Sequence, residues 1–379
     1  MLVFGTRPEA IKMCPLVIEL KKNPFFEVIV CVTGQHREML KQVLSCFHVV
    51  PDYDLNIMKD QQTLFDITIS ILNGMKRILE NEKPYILLVH GDTSTAYAAS
   101  LAAFYLKIPV GHVEAGLRTY DLEAPYPEEF NRQSISLVSE MNFAPTQKAR
   151  LNLINEGFSS ETVYVTGNTG IDALKYTVRE DYTHPLLDWA SDGRLVLLTA
   201  HRRENSGQPF KNIFSAVKKL AEDIPSIRVI YPLHMNPEIR KLAHCILDDC
   251  DNVMLTEPMD VLDFHNFMAR SELIMTDSGG IQEEAPALGK PVLVLRDTTE
   301  RPEGVEAGTL RLTGTDEKAI YTEAYKLLTD IDEQKKMQKK NNPYGNGTAS
   351  IQIMQILEKK DLVPYQMSRR GYIHDGRQT

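Results

Sequence analysis

The sequence predicts an α/β protein built from two doubly wound, Rossmann-like domains, and three observations carry that prediction. Short apolar, β-branched runs alternate with helix-length segments from the first residue onward, as in a parallel sheet covered by helices. The rhythm weakens between Asn168 and Gly193 and then restarts. At 379 residues the chain is long enough for two such domains.

Met1 to Phe4 reads as a strand ending at Gly5, and Pro8 to Lys22 as a helix with an expected kink at Pro15. Val28 to Thr33 is a buried parallel strand by composition. A loop at Gln35-His36-Arg37 leads into a helix over Glu38 to Cys46, and a long amphipathic helix spans about Gln62 to Glu80. Tyr85 to His90 is the next strand. Gly91 to Thr95 then opens an alanine-rich helix able to pack closely on the sheet. Val110 to Val113 ends at Glu114, a loop runs from Ala115 to Tyr126, and Pro127-Glu128-Glu129 starts a helix with proline and acids in its first turn. Met141 to Ala144 and Val163 to Val165 complete this half.

The stretch from Asn168 to Gly193, with Gly170, Pro185 and Trp189, reads as the crossing between domains. Strands follow at Leu195 to Thr199, Arg228 to Tyr231, Val253 to Leu255, Leu273 to Thr276 and Val292 to Leu295. Helices lie between them, for example Pro209 to Glu222 and Pro237 to Leu247. Asp316 to Lys340 reads as two helices, Asn342 to Gly345 as a turn and Ala349 to Lys359 as a last helix before a polar tail. The expected domains are 1–168 and 169–345, with a C-terminal helix and tail, 346–379, packing back on the first.

A net charge of −9 argues against a nucleic-acid binder. Cys14, Cys31, Cys46, Cys245 and Cys250 show no metal-ligand spacing, and their odd number suits reduced thiols. No signal peptide is visible before Leu2-Val3-Phe4-Gly5, and no run approaches the roughly 18 apolar residues of a membrane span. A cytoplasmic protein with no metal site and no membrane contact is expected.

In doubly wound sheets ligands bind beyond the carboxyl ends of the strands, and the notable polar residues fall there. Thr276-Asp277-Ser278-Gly279-Gly280-Ile281-Gln282-Glu283-Glu284 passes from strand to helix. Its free N–H groups and helix dipole suit a phosphate, with Ser278 as a hydroxyl donor and Glu284 within one turn to meet a ribose. The bland alternative is an ordinary capped βα turn. Arg7 and Lys12 follow the first strand, where Arg7 has the reach for a phosphate, but no G-x-G-x-x-G or Walker motif is present. Asp92, Glu114 and Glu128 stand at strand or helix ends and suit acid–base work on a sugar if held close together. Otherwise they are a helix cap, a salt bridge and a favourable helix-start charge. His201 precedes Arg202 and Arg203 and can donate to a phosphate or shuttle a proton. His234 and His36 are weaker candidates of the same kind. Arg301, after the polar loop from Arg296 to Glu300, is a candidate nucleotide or sugar contact.

These stretches together resemble the non-hydrolysing bacterial UDP-N-acetylglucosamine 2-epimerases. The resemblance rests on Gly5 to Lys12, Gly34 to Arg37, His90 to Thr93, His112 to Thr119, Pro127 to Arg132, His201 to Glu204, Thr276 to Glu284, Arg296 to Glu303 and Asn342 to Gly345, in order across Gly5 to about Leu357. It implies a GT-B fold with an active site in the interdomain cleft, usually in a homodimer. The implied reaction interconverts UDP-N-acetylglucosamine and UDP-N-acetylmannosamine by eliminating UDP to 2-acetamidoglucal and adding it back. No cofactor is implied, and the product would serve surface polysaccharide synthesis. Carried over by position, Asp92, Glu114, Glu128 and His201 are the implied catalytic residues. Arg7, Lys12, Phe264, Ser278, Gly279, Gly280, Glu284 and Arg301 are the implied substrate contacts.

Some members of that family carry an activating substrate site lined partly by a Gln-x-x-Gln pair and an arginine. Here Gln35 stands with Glu38 in the pair and Gln61 in place of the arginine, whereas Arg202, Glu128 and His234 match. Weak or absent activation by substrate is therefore expected. A glycosyltransferase, a hydrolysing epimerase and a non-catalytic UDP-sugar sensor are the rival readings. The three carboxylates speak against the sensor, since a pure binder of an anion has little use for them.

Overall fold

The computed structural model describes residues 1–35, 37–59, 61–338 and 341–360. His36 and the tail after Pro364, both read from the sequence above, lie outside the described residues, as do the side chains of Arg37 and Arg203. The chain divides into two compact units, Met1–Ala173 with the chain from Gly347 onward, and Leu174–Asn346.

Among the described residues, unit 1 builds a seven-stranded parallel sheet: β1 (Leu2–Phe4), β2 (Val30–Val32), β3 (Tyr53–Asp54), β4 (Leu87–His90), β5 (Val110–Val113), β6 (Met141–Ala144) and β7 (Val163–Val165). The strands lie in the order β3-β2-β1-β4-β5-β6-β7. Helices α1 (Arg7–Lys22), α2 (Arg37–Cys46), α3 (Leu64–Glu82), α4 (Ser94–Tyr105), α5 (Glu128–Val138) and α6 (Gln147–Asn155) connect them. Both faces of the central strands are covered, which is why β1, β2, β4 and β5 are buried along their whole length. The alanines of α4 are fully or almost fully buried between the sheet and α3. Pro15 sits within α1, whose start is closed by a reciprocal cap between Thr6 and Glu9.

The stretch read as the crossing between domains contains two helices, α7 (Thr169–Thr177) and α8 (Pro185–Trp189). Both are short, and Gly170 in the first turn of α7 weakens the local signal, so tertiary contacts decide them.

Unit 2 repeats the plan with six parallel strands among its described residues: β8 (Arg194–Thr199), β9 (Ile227–Pro232), β10 (Val253–Thr256), β11 (Leu273–Thr276), β12 (Val292–Val294) and β13 (Leu310–Leu312). Their order is β10-β9-β8-β11-β12-β13. The helices are α9 (Gln208–Asp223), α10 (Pro237–Leu247), α11 (Val261–Arg270), α12 (Ile281–Ala287), α13 (Pro302–Ala307), α14 (Glu317–Thr329) and α15 (Ile331–Gln338). Edge strands β3 and β13 escaped the sequence reading because they are only partly buried and carry Asp54 and Arg311, so neither shows the continuous apolar run of the central strands.

The final helix, α16 (Ala349–Lys359), belongs to unit 1 and packs on α1. Thr348 gives it no side-chain cap. The Asp172 carboxylate of α7 supplies one instead, accepting from Ala349 N at 3.1 Å and Ser350 N at 2.8 Å.

Candidate active site

Each sheet reverses its winding once, between β1 and β4 in unit 1 and between β8 and β11 in unit 2. These are the crevices where such sheets take ligands. The two are built differently.

In unit 1 the start of α1 is already filled by the chain itself. The buried Glu9 carboxylate accepts from Gly5 N at 3.0 Å and Thr6 N at 2.8 Å, and from the Thr93 hydroxyl at 2.7 Å. This first βα turn therefore offers no empty anion cradle, in keeping with the missing glycine fingerprint. Arg7 opens α1 half-buried.

Beside it lies a cluster of carboxylates. Glu114 stands just past β5 with φ +64, a left-handed conformation uncommon for a non-glycine residue and concentrated at functional sites. Its Oε2 forms an ion pair with Lys12 Nζ, accepts from Asn168 Nδ2 at 2.8 Å, and lies 3.5 Å from His90 Nε2. Burial would raise the Glu114 carboxyl, but the charges of Lys12 and His90 outweigh it and hold the group well below the usual carboxylate range. Lys12, assigned by resemblance to substrate, thus has a carboxylate partner inside the protein.

Asp92 follows β4 and is shifted the other way. Burial raises it; Arg132, with Nη2 2.9 Å from Asp92 Oδ2, opposes the rise, and the negative charges of Glu114 and Glu128 add to it. The helix-cap reading of Asp92 fails, because the Thr93 hydroxyl caps α4. His112 is fully buried and its Nε2–H donates to Gly91 O at 2.7 Å; burial lowers it to about 3, so it is neutral and steadies the turn into Asp92. The two acids at the start of α5 separate by role. Glu129 is buried and accepts from Thr119 N, Tyr120 N and Gln133 Nε2, holding the loop after β5. Glu128 is half-buried, and its charge is felt at Asp92.

In unit 2 the organiser is Asp277, fully buried just past β11. Its Oδ2 accepts from His201 N and Arg202 N, each at 2.8 Å, and from Asn205 Nδ2 at 3.1 Å. Its Oδ1 lies 3.4 Å from His201 Nδ1. The His201 ring stacks on His234 with centroids 5.6 Å apart. Burial lowers the His201 imidazole, helped by His234 and Arg202 and opposed by Asp277.

At the start of α12 the cap residue Gly280 supplies no side-chain bond. The Arg301 guanidinium lies so close that a methyl group on Gly279 would sit 3.0 Å from its Nη1. Glu283 Oε1 orients that guanidinium by accepting from Nε at 2.7 Å. Ser278 is half-buried beside Gly279. Glu284 Oε2 faces buried His265 Nε2 at 3.5 Å, and half-buried Phe264 precedes His265 on α11.

Unit 1 therefore gathers Lys12, Asp92, Glu114 and Glu128, and unit 2 gathers His201 with Asp277 and Ser278-Gly279-Gly280 with Arg301. The residues weighed for an activating site are spread over both units. Gln35, accepting from Thr95 Oγ1 at 3.2 Å, and exposed Glu38 belong to unit 1; half-buried Arg202 and exposed His234 belong to unit 2. Sequence reasoning did not single out His90, Arg132, Asn168, Asp277 or Glu9. All but Asn168 stand inside the quoted motifs, and Asn168 had only its place after a strand as a signal. Among the described residues no group of three or more His, Cys, Asp and Glu is arranged to hold a metal, and no helix is long and apolar enough to cross a membrane.

The profile of the family described as UDP-N-acetylglucosamine 2-epimerase matches residues 18–358. A Bacillus subtilis (strain 168) protein of that name is 57% identical over 357 residues, covering 94% of this chain and 94% of its own length. The solved complex of S. aureus MnaA with UDP matches with a TM-score of 0.86 at 52% identity, over 94% of this chain and 95% of that one. The Neisseria meningitidis UDP-GlcNAc 2-epimerase bound to UDP-GlcNAc matches with a TM-score of 0.86 at 49% identity, over 95% and 99%.

Proposed function

Because the chain belongs to the UDP-N-acetylglucosamine 2-epimerase family, we propose that it interconverts UDP-N-acetylglucosamine and UDP-N-acetylmannosamine in the non-hydrolysing manner. The observation that carries this reading is the divergence of two neighbouring carboxyls, Glu114 pushed down and Asp92 pushed up. Inversion at C2 needs one group that accepts a proton and another that delivers one to the opposite face. Paired groups whose environments drive them apart suit that task.

A carboxylate takes the C2 proton, the C2–H electrons form a C1=C2 bond, and the C1–O bond breaks to release UDP. The return step adds UDP to C1 of the 2-acetamidoglucal and a proton to C2 from the other face. Charge developing on the leaving diphosphate requires cations and N–H donors, which Arg7, Arg301, His201 and the Ser278-Gly279-Gly280 turn would supply. Glu284 would take the ribose hydroxyls, and Phe264 would line the nucleotide pocket. Lys12 acts in this reading by keeping Glu114 ionised. The substrate relationships of the Neisseria and S. aureus proteins support the assignment of UDP and its sugar as ligands. The product fits a surface-polysaccharide precursor, made in the cytoplasm, where the five thiols would stay reduced.

Incubation with UDP-N-acetylglucosamine in heavy water, without acceptor or added cofactor, is expected to place deuterium at C2 and to produce UDP-N-acetylmannosamine in the NMR spectrum. An unchanged spectrum from folded, UDP-binding protein would overturn the reading in favour of a transferase or sensor, and net UDP release matching product formation would favour the hydrolysing reaction.

A homodimer is the assembly we propose. Its support is the set of large apolar side chains exposed on α3, α4 and α5, namely Phe65, Ile69, Phe104, Tyr105, Phe130 and Leu137. Apolar area exposed on a monomer in this amount is a liability that a second copy would cover. Light scattering is expected to give twice the chain mass of 42.9 kDa, and Leu137→Glu with Phe65→Glu is expected to give the monomer. A monomeric parent at micromolar concentration would refute this assembly.

A further inference from the structure

We propose that Asn168 is a positioning residue for the epimerisation, holding the Glu114 carboxylate through its side-chain amide. The inference rests on the reading of Glu114 as a reacting carboxylate. Asn168 is 3% exposed, two residues beyond Thr166, which continues β7 by donating its N–H to Ala144 O. Gly167 before it has φ +86, a left-handed turn at the end of the strand. Its two ends are used differently. Oδ1 accepts from Gly170 N at 2.8 Å, and Nδ2 donates to Glu114 Oε2 at 2.8 Å. The backbone N–H of Gly170 fixes which end of the amide is the acceptor, so the donor end must face the carboxylate.

Glu114 needs such a partner. Its backbone is held in a left-handed conformation, which persists only when the surroundings over-determine it. Lys12 and His90 act on the same oxygen, and the Glu114 charge is felt in turn at Asp92 and at the neutral His112. Lys12 and His90 are titratable; Asn168 is the neutral donor in the set, and its bond survives any change in their protonation. With Oε2 engaged by these partners, Oε1 remains directed toward the Gly91 turn, 3.8 Å from where a Gly91 methyl would stand. The amide thus acts together with Lys12 and His90 to fix which oxygen is presented. Asn168 also directly precedes α7, whose Asp172 caps α16, which packs on the α1 helix that carries Lys12. Lys12 and Asn168 are thereby tied into one closed circuit of helices.

Two variants separate positioning from general support. Asn168→Asp keeps an oxygen for Gly170 N but replaces the donor with a second negative charge. Asn168→Ser retains an oxygen near Gly170 N and lacks the reach to Glu114. In the deuterium-exchange assay both are expected to lose about 10-fold or more in kcat with KM within about twofold, as for a group that acts on the reacting carboxylate alone. The acidic limb of the kcat profile is expected to rise by about one pH unit in Asn168→Asp and by less in Asn168→Ser, because a like charge disfavours ionised Glu114. UDP affinity, read by calorimetry, is expected to be unchanged. Turnover within twofold of the parent in both variants, or a fall in UDP affinity and melting temperature in step with kcat, would overturn the assignment. A parent that exchanges no C2 proton would instead refute the functional reading on which it rests.

Discussion

Asp92→Asn, Glu114→Gln and Glu128→Gln are each expected to cut epimerase turnover by about 100-fold or more, while UDP affinity stays within about twofold. The reason for the separation is architectural. The carboxylates belong to unit 1, whereas His201, Ser278, Gly279, Gly280 and Arg301 among the candidate diphosphate donors belong to unit 2, leaving Arg7 as the donor in unit 1. The first two variants should also differ in stability, and the sign follows from the two shifts. The Asp92 carboxyl is raised from its ordinary 3.8 by burial, so the ionised group costs stability, and that cost grows as pH rises from about the unfolded value through the folded one. Asn removes it, and Arg132 retains Glu129 at 3.5 Å as a partner. Asp92→Asn is therefore expected to melt no lower than the parent. The Glu114 carboxyl is depressed below its ordinary 4.5 by Lys12 and His90 against the opposing effect of burial. Its contribution is present above the unfolded value and is lost as pH falls through the folded one. Glu114→Gln is expected to melt lower at pH 7, with the gap to the parent closing on acidification. Steady-state rates, UDP titrations and scanning calorimetry at pH 7 and pH 4 test the set. Near-parent turnover in all three variants would remove the catalytic assignment.

The second large effect is expected at Asp277. Its carboxylate receives two backbone N–H groups and the Asn205 amide inside a fully buried site. Asp277→Ala strands both backbone donors, leaves the Asn205 amide with Leu295 O as its acceptor, and releases the His201-Arg202 segment. Breaking a buried, charge-assisted network of this size costs on the order of 3 kcal/mol. For a unit the size of Leu174–Asn346, a loss of that size lowers the melting temperature by roughly 6–12 °C. UDP binding is expected to weaken by about 10-fold or more as His201 and the neighbouring turn lose their anchor. Asp277→Asn, which retains one acceptor oxygen, should fall between the parent and Asp277→Ala in both measurements. A melting temperature and UDP affinity for Asp277→Ala equal to the parent's would show that the segment is held by other contacts.

Much of the fold was legible along the chain because its signals are local. The runs Val110 to Val113 and Leu273 to Thr276 are apolar and lie between glycine or polar turns, and they form strands with those bounds. The acidic first turn after Pro127 and the apolar face from Ala349 to Lys359 mark α5 and α16 equally well. The candidate site was legible as a set of residue types at strand ends, since a doubly wound sheet sends those ends to one edge. What each residue does there was not. Glu128 and Glu129 are indistinguishable in sequence, yet Glu129 is buried in backbone hydrogen bonds and Glu128 is not. Glu9 looks like surface charge on a helix and is the plug of the first βα turn.

Strand and helix order, the two parallel sheets and the family follow from the sequence by itself, because apolar periodicity, turn residues and motif spacing are properties of neighbouring positions. Tertiary structure alone decided that Lys12 and Asn168 meet on one oxygen of Glu114, 102 and 54 positions away along the chain. It likewise decided that Asp92 and Glu114 shift in opposite directions. Those outcomes depend on burial and on charges that distant segments bring within a few ångströms. Such terms vary steeply with distance and solvent exposure, and neither quantity is written in local order.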